Sequence, residues 1–389
     1  MPESKSADYA DAVSKHIDRD ALITTLVDVV RTPSVSTQER EVAEKLDALC
    51  RSFGLVSRLD RHNNVIAMLP GRTPGRRLLL NTHIDTVKPN GPWTVDPYGG
   101  VIRDGRLCGV GANDTKSAAV AMIYAMKALK ELDVPLTGEV LLTGCMGEEI
   151  QNVEAKGTVK WIRDGGKADM AIVGEPSGLN ACLGCEGMLD LEIVTRGRSA
   201  HASRPQDGVN AIHQMAKVVL GIHALTPRSH PLLGSGAISV GVISGGTQSS
   251  VVPAECRARV GRFIVPGENM ETFLAELQAL FRRLKTEDEH FEATTNPTYA
   301  SNAQIIDRDH AVVQGLERAM RVVMGSEPHE VGSQGHSDAD FLQNLAGIPC
   351  VTFGPRGWGS HKEDEYVELD TVITAARIYA GAVIELLGT

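Results

Sequence analysis

Four short apolar runs, each stopping abruptly at polar residues, constrain the fold most strongly. Leu78-Leu79-Leu80 leads into Asn81-Thr82-His83-Ile84-Asp85, Val140-Leu141-Leu142 leads to Glu148-Glu149, and Met170-Ala171-Ile172-Val173 leads to Gly174-Glu175. The fourth, Ile348 to Gly354, runs into a glycine-rich loop that carries His361. Continuous apolar runs of this length read as strands buried on both faces, the habit of parallel sheets. Between the first two, Gly109-Val110-Gly111-Ala112-Asn113-Asp114 opens a helix-like stretch from Thr115 to Leu132, which puts Asp114 at a helix start. The expected class is α/β with a mostly parallel central sheet.

Open α/β sheets bind ligands outside the carboxyl ends of their strands. The runs deliver His83, Asp114, Glu149, Glu175 and His361 to that place. Two imidazoles and three carboxylates suit Zn²⁺, with Co²⁺ or Mn²⁺ as substitutes. One carboxylate shared by two ions roughly 3.5–4 Å apart, with one His and one Glu finishing each, makes a two-metal hydrolase centre with room for water. Side chains at i and i+2 of a strand share a face, so Asp85 is expected beside the His83 ring, setting its tautomer. Taken singly, His-x-Asp, Glu-Glu and Gly-Glu-Pro are common in solvated turns and helix starts. Their joint occurrence after four strand-like runs and one helix start carries the metal reading.

A second pattern interrupts the first. From about Gly187 to about Pro297 the order reads strand (188–195), helix (208–225), strand (237–243), strand (255–265), helix (269–284) and strand (291–295), which is the β-α-β-β-α-β, ferredoxin-like plan. The flanking parts share the candidate ligands, so this unit is an insertion: residues 1–186 and 298–389 form a discontinuous catalytic domain and 187–297 an inserted one. An exposed strand edge or helix face on such an insertion suggests a homodimer surface and a lid. Toward the amino terminus, 17–30 and 40–53 read as helices, followed by a strand pair flanking Asp60.

Composition narrows the function classes. A formal net charge of −10 over 389 residues, with no compensating basic block, argues against nucleic acid or an anionic membrane as partner. No apolar stretch approaches the roughly 20 residues needed to span a bilayer. Met1-Pro2-Glu3-Ser4-Lys5 lacks a signal-peptide core, so a cytoplasmic location is the expectation. Seven cysteines, an odd number scattered along the chain, fit reduced thiols. Cys182-Leu183-Gly184-Cys185 has no second pair near it and reads as structural.

Six ordered strings span nearly the whole chain: Asn81-Thr82-His83-Ile84-Asp85-Thr86-Val87, Gly111-Ala112-Asn113-Asp114-Thr115-Lys116, Gly147-Glu148-Glu149, Gly174-Glu175-Pro176, Ser199-Ala200-His201-Ala202-Ser203 and His361-Lys362-Glu363-Asp364-Glu365-Tyr366-Val367. Together they resemble the zinc aminoacylase and carboxypeptidase family. That family includes acetylornithine deacetylase, succinyl-diaminopimelate desuccinylase, aminoacylases and the glutamate-releasing, carboxypeptidase G-like enzymes. The resemblance implies a metallopeptidase-type catalytic domain with an inserted dimerisation domain and two Zn²⁺ per subunit. It implies that Asp114 bridges the ions, that His83 and Glu175 complete one, and that Glu149 and His361 complete the other. Asp85 would orient His83. Glu148 would be the general base, taking a proton from the bridging water and returning it to the leaving amine. His201, which in the family commonly comes from the partner subunit, would donate to the oxyanion.

The chain departs from the family pattern at several places. Thr115-Lys116-Ser117 stands where relatives often read Met-Lys-Gly, and Ser250 stands where many carry Asn before Val251-Val252-Pro253. Arg262 fits the position of an arginine able to grip a substrate carboxylate as a fork, and equally a strand-end surface arginine. In Gly335-His336-Ser337-Asp338-Ala339-Asp340, His336 and Asp340 replace a hydroxyl and a cation. Asp340 is expected to bias a pocket away from a second acidic group. The expected activity is hydrolysis of the amide of an N-acyl amino acid, with a carboxypeptidase or dipeptidase acting on short peptides as the alternative. A single catalytic metal serving another amide is a third reading. A non-catalytic amino-acid-derivative sensor is a fourth, and the intact Glu148 and five ligands count against it.

Overall fold

The four apolar runs become the parallel centre of a nine-stranded sheet in a computed structural model that describes residues 11–13 and 15–389. Thr137–Cys145, Thr73–His83, Met170–Val173 and Cys350–Thr352 lie side by side in that order, each parallel to its neighbour. Their centres, including Leu78, Leu79, Leu80, Val140, Ala171 and Val351, are fully buried because helices leave neither face to water. Antiparallel strands flank this centre. Val65–Pro70 pairs with Thr137–Cys145 and carries Val56–Leu59 outside it, while Ala181–Cys185 pairs with Cys350–Thr352 on the other side. The sheet is therefore mixed, with a parallel core.

Helices Arg19–Val30 and Arg40–Ser52 precede the sheet. The first starts two residues later than its periodicity suggests, because the Asp18 carboxylate accepts the Ala21 N–H and takes the N-cap. Helix Ser117–Glu131 is buried almost all round, which explains its run of Ala, Val, Met and Ile. A small sheet of Gly357–Trp358, Tyr366–Glu368, Arg106–Cys108 and Val101–Arg103 completes this part of the chain. Strands of two or three residues are too short to leave a periodic signal, so sequence reading saw only a loop there.

The chain divides into two units. One comprises the described residues up to Gly184 with Ile305–Ser333 and Ser337–Thr389, and the other comprises Cys185–Gln304 with Gln334–His336. The second holds a four-stranded antiparallel sheet in the order Ala237–Gly245, Glu255–Ile264, Gly187–Arg196, Glu292–Ala300, with helices Ala211–His223 and Met270–Glu287. Alternate residues Leu189, Leu191 and Ile193, with Ala258 and Val260 beside them, meet Met215, Val218, Ile222, Phe273 and Leu277 from the helices in one apolar cluster. The intervening Asp190 and Glu192 pair instead with Arg259 and Arg257. Asn269 and Thr272 form a reciprocal capping box at the second helix.

All seven cysteines are free thiols. Cys182 and Cys185 lie buried in the strand Ala181–Cys185, and burial pushes the Cys182 thiol up to about 11, which makes it a poor nucleophile. Among the described residues no helix is long and apolar enough to cross a membrane.

Candidate metal centre

His83 is the last residue of its strand and is 2% exposed, so its ring is held by packing. Asp114 lies in the turn Ala112–Lys116, three residues before helix Ser117–Glu131 begins, with extended backbone angles (φ −119°, ψ 90°) and not helical ones. That corrects the expectation of a helix-start position. Glu149 follows the strand Thr137–Cys145, and Glu175 lies two residues beyond Met170–Val173. His361 sits in the hairpin between Gly357–Trp358 and Tyr366–Glu368, in the left-handed region at φ 65°, a conformation most residues adopt only under constraint. Gly357 makes that hairpin possible, since a Cβ there would collide with the Tyr366 carbonyl and the Asn113 side chain.

The two imidazoles face Asp114, and each has a glutamate beside it. Asp114 Oδ1 lies 3.0 Å from His83 Nε2 and its Oδ2 3.6 Å from His361 Nε2. Glu175 Oε1 is 3.9 Å from His83 Nε2, and Glu149 Oε1 is 2.8 Å from His361 Nε2. Ligand atoms of His83, Asp114 and Glu149 all lie within 4.8 Å of one another. Burial, then the neighbouring Asp114 and Glu148 charges, push Glu149 up to about 7 against the pull of His361. Burial likewise drives Glu175 well above its ordinary value. His361 is pulled up to about 9, first by its hydrogen bond with Glu149. Three partly or fully buried carboxylates this close together call for a cation, and the two imidazoles offer nitrogen donors of the kind Zn²⁺ takes. The donor set fits a divalent metal.

Asp85 stands beside the His83 ring as expected, and its backbone adds a closer contact. His83 Nδ1 donates to the backbone carbonyl of Asp85 at 3.0 Å, while the Asp85 carboxylate stands 3.5 Å away. That carboxylate is fully buried and accepts the Ser36 hydroxyl (2.6 Å) and the N–H groups of Glu148 (3.0 Å) and Glu149 (3.1 Å). Asp85 thus meets His83 through both its backbone carbonyl and its carboxylate, and the carboxylate also anchors the Glu148-Glu149 loop. Neighbouring positions of the loop are tied as well. Asn64 accepts the Met146 N–H at 3.1 Å, and Glu39 accepts the Gly147 N–H at 3.2 Å.

Glu365 does the same for the turn that carries Asp114. Its carboxylate, 1% exposed, accepts N–H groups from Gly111 (2.9 Å), Asn113 (2.8 Å) and Asp114 (3.0 Å). Burial and the Asp114 charge push this carboxyl up to about 8, against the three donors. Sequence reading passed over Glu39, Asn64 and Glu365 as site residues. Glu365 had a visible signal, since it lies four residues after His361 in the same motif. Glu365→Ala orphans two buried N–H groups and a half-buried third, and at about 1–3 kcal/mol for each buried donor lost the expected destabilisation is at least about 2 kcal/mol. Urea unfolding of the purified variant measures it, and a change near zero would show that water or another group takes over those donors.

Of the remaining candidate residues, Arg262, Ser250, His336 and His201 belong to the second unit and Asp340 to the first. Arg262 is 2% exposed and its guanidinium is taken by Glu268 and Glu276 (2.5 Å each), with Phe273 against its face at 4.8 Å. This pairing leaves its fork to structural partners, so the reading of Arg262 as a substrate-carboxylate grip is withdrawn. Asp340 is 1% exposed in the first turn of helix Ala339–Ala346, where its Oδ1 accepts from Asn344 at 2.6 Å. It is buried within its helix start. His336 contacts the Tyr299 hydroxyl at 3.3 Å. Ser250 is exposed, and its carbonyl accepts the Ala202 N–H. His201 is exposed in the second unit. The Ser203 N–H donates to its Nδ1, which makes Nδ1 the acceptor and leaves the neutral ring's proton on Nε2.

An α/β scaffold that gathers three carboxylates and two imidazoles at the ends of its parallel strands, with another glutamate adjacent in the loop, defines a metal-dependent hydrolase. Residues 79–385 match Peptidase family M20/M25/M40, and the chain belongs to that family. It is 28% identical over 349 residues to the N-formyl-4-amino-5-aminomethyl-2-methylpyrimidine deformylase of Bacillus subtilis (strain 168), covering 81% of each chain. It is 30% identical over 373 residues to a succinyl-diaminopimelate desuccinylase of Cereibacter sphaeroides, covering 90% of this chain and 95% of that one. Among solved structures, the YXEP protein of Bacillus subtilis, described as a dinuclear metal binding peptidase from the M20 family, aligns with a TM-score of 0.72 at 18% identity, over 95% of this chain and 98% of that one.

Proposed function

We propose that this protein hydrolyses the amide bond of an N-acyl amino acid, releasing a carboxylic acid and a free amine. The observation that carries this reading is the Asp114-centred cluster, with Glu148 immediately beside the ligand Glu149 in a loop pinned by Asp85. His83, Glu175, Glu149 and His361, with Asp114 between them, would hold two divalent ions, Zn²⁺ by donor type, with Co²⁺ or Mn²⁺ able to substitute. Metal bound there supplies Lewis-acid polarisation of the carbonyl and a more acidic water. Glu148 accepts the proton of the attacking water on its carboxylate and passes it to the departing nitrogen, because an amide nitrogen leaves readily only when protonated. His201, supplied by a second copy of the chain as the family resemblance implies, donates from Nε2 to the oxyanion, with Ser203 setting its tautomer.

A desuccinylase and a deformylase among the relatives support a deacylase. The family's description as peptidases supports a second reading, cleavage of dipeptides or other short peptides with a free carboxylate. The test is amine release from N-formyl, N-acetyl, N-succinyl and dipeptide substrates by Zn²⁺-loaded protein, with chelator-treated protein as control. Turnover of acyl substrates alone favours the first reading, and turnover of dipeptides alone the second. Silence across the panel with metal bound would remove both.

The second unit is assigned a dimerisation role. Ala237–Gly245 pairs on one side only in its sheet and exposes Val242 (55%) and Ile243 (54%), and helix Ala211–His223 exposes Leu220 (70%). An open, apolar strand edge of this kind is covered in stable proteins, and a second copy covers it symmetrically. Light scattering is expected to give a dimer for the native chain and a monomer for the Leu220→Asp/Val242→Asp variant; a native monomer would reject the assignment.

A further inference from the structure

The anchor of the Glu148-Glu149 loop that has no counterpart in the sequence motifs is a buried cation. Lys156 is 1% exposed and occupies the N-cap of the short helix Gly157–Arg163. That position favours Ser, Thr, Asp or Asn, and the helix dipole disfavours a positive charge there. The Lys156 ammonium instead turns back along the chain. Nζ donates to the backbone carbonyl of Glu148 and lies 3.3 Å from Glu148 Oε1. The ring of Phe341 stands 5.7 Å away, covering the ammonium on an apolar side.

The backbone around this contact is closed by further bonds. The Gly157 N–H donates to the Met146 carbonyl at 2.7 Å, which lays the start of the helix alongside the loop. Asn64 clamps the same two segments, accepting from the Met146 N–H and donating to the Gly157 carbonyl at 3.1 Å. Thr158, two residues past the lysine, donates to the buried Asp338 carboxylate at 2.6 Å. Burial and then the Glu148 charge push Asp338 up to about 6, and the Lys156 ammonium acts against them. A residue that breaks the local capping rule gains nothing for its own helix, and such violations mark functional placements. What the violation gains here is a hold on Glu148 at both its main chain and its side chain.

We propose that Lys156 is a positioning residue for Glu148, its ammonium holding the glutamate's carbonyl and one carboxylate oxygen so that the side chain stays in the orientation proton transfer requires. This rests on the reading of Glu148 as the general base. The ammonium meets Glu148 at its carbonyl and at one carboxylate oxygen, so its loss releases Glu148 at both points. A catalytic group misplaced by about 1 Å costs up to about 100-fold in rate, with binding of the ground state little changed.

The test is a double-mutant cycle of Lys156→Met and Glu148→Gln, with Lys156→Arg as the conservative variant, read in two ways. In steady-state kinetics on the best panel substrate, Lys156→Met is expected to lower kcat about 10- to 100-fold with KM nearly unchanged, Lys156→Arg to recover part of it, and Lys156→Met to cost nothing further on the Glu148→Gln background. In urea unfolding of chelator-treated protein, the two substitutions are expected to be non-additive. Equal losses of kcat on both backgrounds, or additive destabilisation, would overturn the proposal and leave Lys156 as a packing residue. If the native protein turns over none of the panel, the amidohydrolase reading fails, and the unfolding cycle still decides: coupling supports the Lys156–Glu148 hold and additivity rejects it.

Discussion

Glu148→Gln is expected to lower kcat by a factor of about 10² to 10⁴, the range that a positioned general acid or base contributes, while bound metal and KM stay near native. The reason lies in the division of labour between adjacent residues. Glu149 meets His361 at 2.8 Å and belongs to the ligand cluster, whereas Glu148 meets Lys156. Both N–H groups are fixed to the Asp85 carboxylate, so exchange of the Glu148 carboxylate for a carboxamide leaves the loop's backbone bonds in place. The amide keeps the shape and loses the ability to accept the proton. Steady-state kinetics with elemental analysis of the same preparation checks this. Near-native kcat would remove Glu148 from the chemistry, and a parallel loss of metal would make it a ligand.

Asp114→Asn is expected to abolish tight binding of divalent metal and, with it, activity down to background. Asp114 faces both imidazoles, one oxygen toward each, so its carboxylate is the shared element of the cluster. A neutral amide offers one carbonyl oxygen in place of two anionic ones and cannot serve two ions equally. The fold should survive, because Glu365 grips the backbone N–H of residue 114 and not its side chain. Metal content after dialysis, with circular dichroism to check folding, measures the effect. A variant that retains two ions per chain would show that the shared ligand lies elsewhere.

Much of this arrangement was legible in the sequence. Leu78 to Leu80 and Met170 to Val173 announce buried parallel strands by their uninterrupted apolar character, and the β-α-β-β-α-β order of the second unit follows from alternating and helical periodicities. Both signals are local, carried by residues within a few positions of one another. Ligand types and their strand-end placement followed as well, since a strand that leaves the core must turn polar where it does so. Boundaries were harder: Asp114 was expected at a helix start and lies in the turn before it, because the carboxylate that holds this turn, Glu365, is 251 positions away in the chain.

Long-range polar pairing is where sequence reasoning stopped. Arg262 reads identically as a substrate grip or a structural cation, and only folding brought Glu268 and Glu276 onto its guanidinium. Asp340 reads as a charge for a pocket, and only packing buried it. The Glu39, Asn64 and Asp85 side chains converge on one loop from separate segments, and no spacing rule links them. The sequence by itself determined the strand order's raw material, the donor types and the family. Tertiary structure alone decided which buried donor meets which buried acceptor, because burying a polar group is tolerable only when a partner arrives, and those partners arrive from distant parts of the chain.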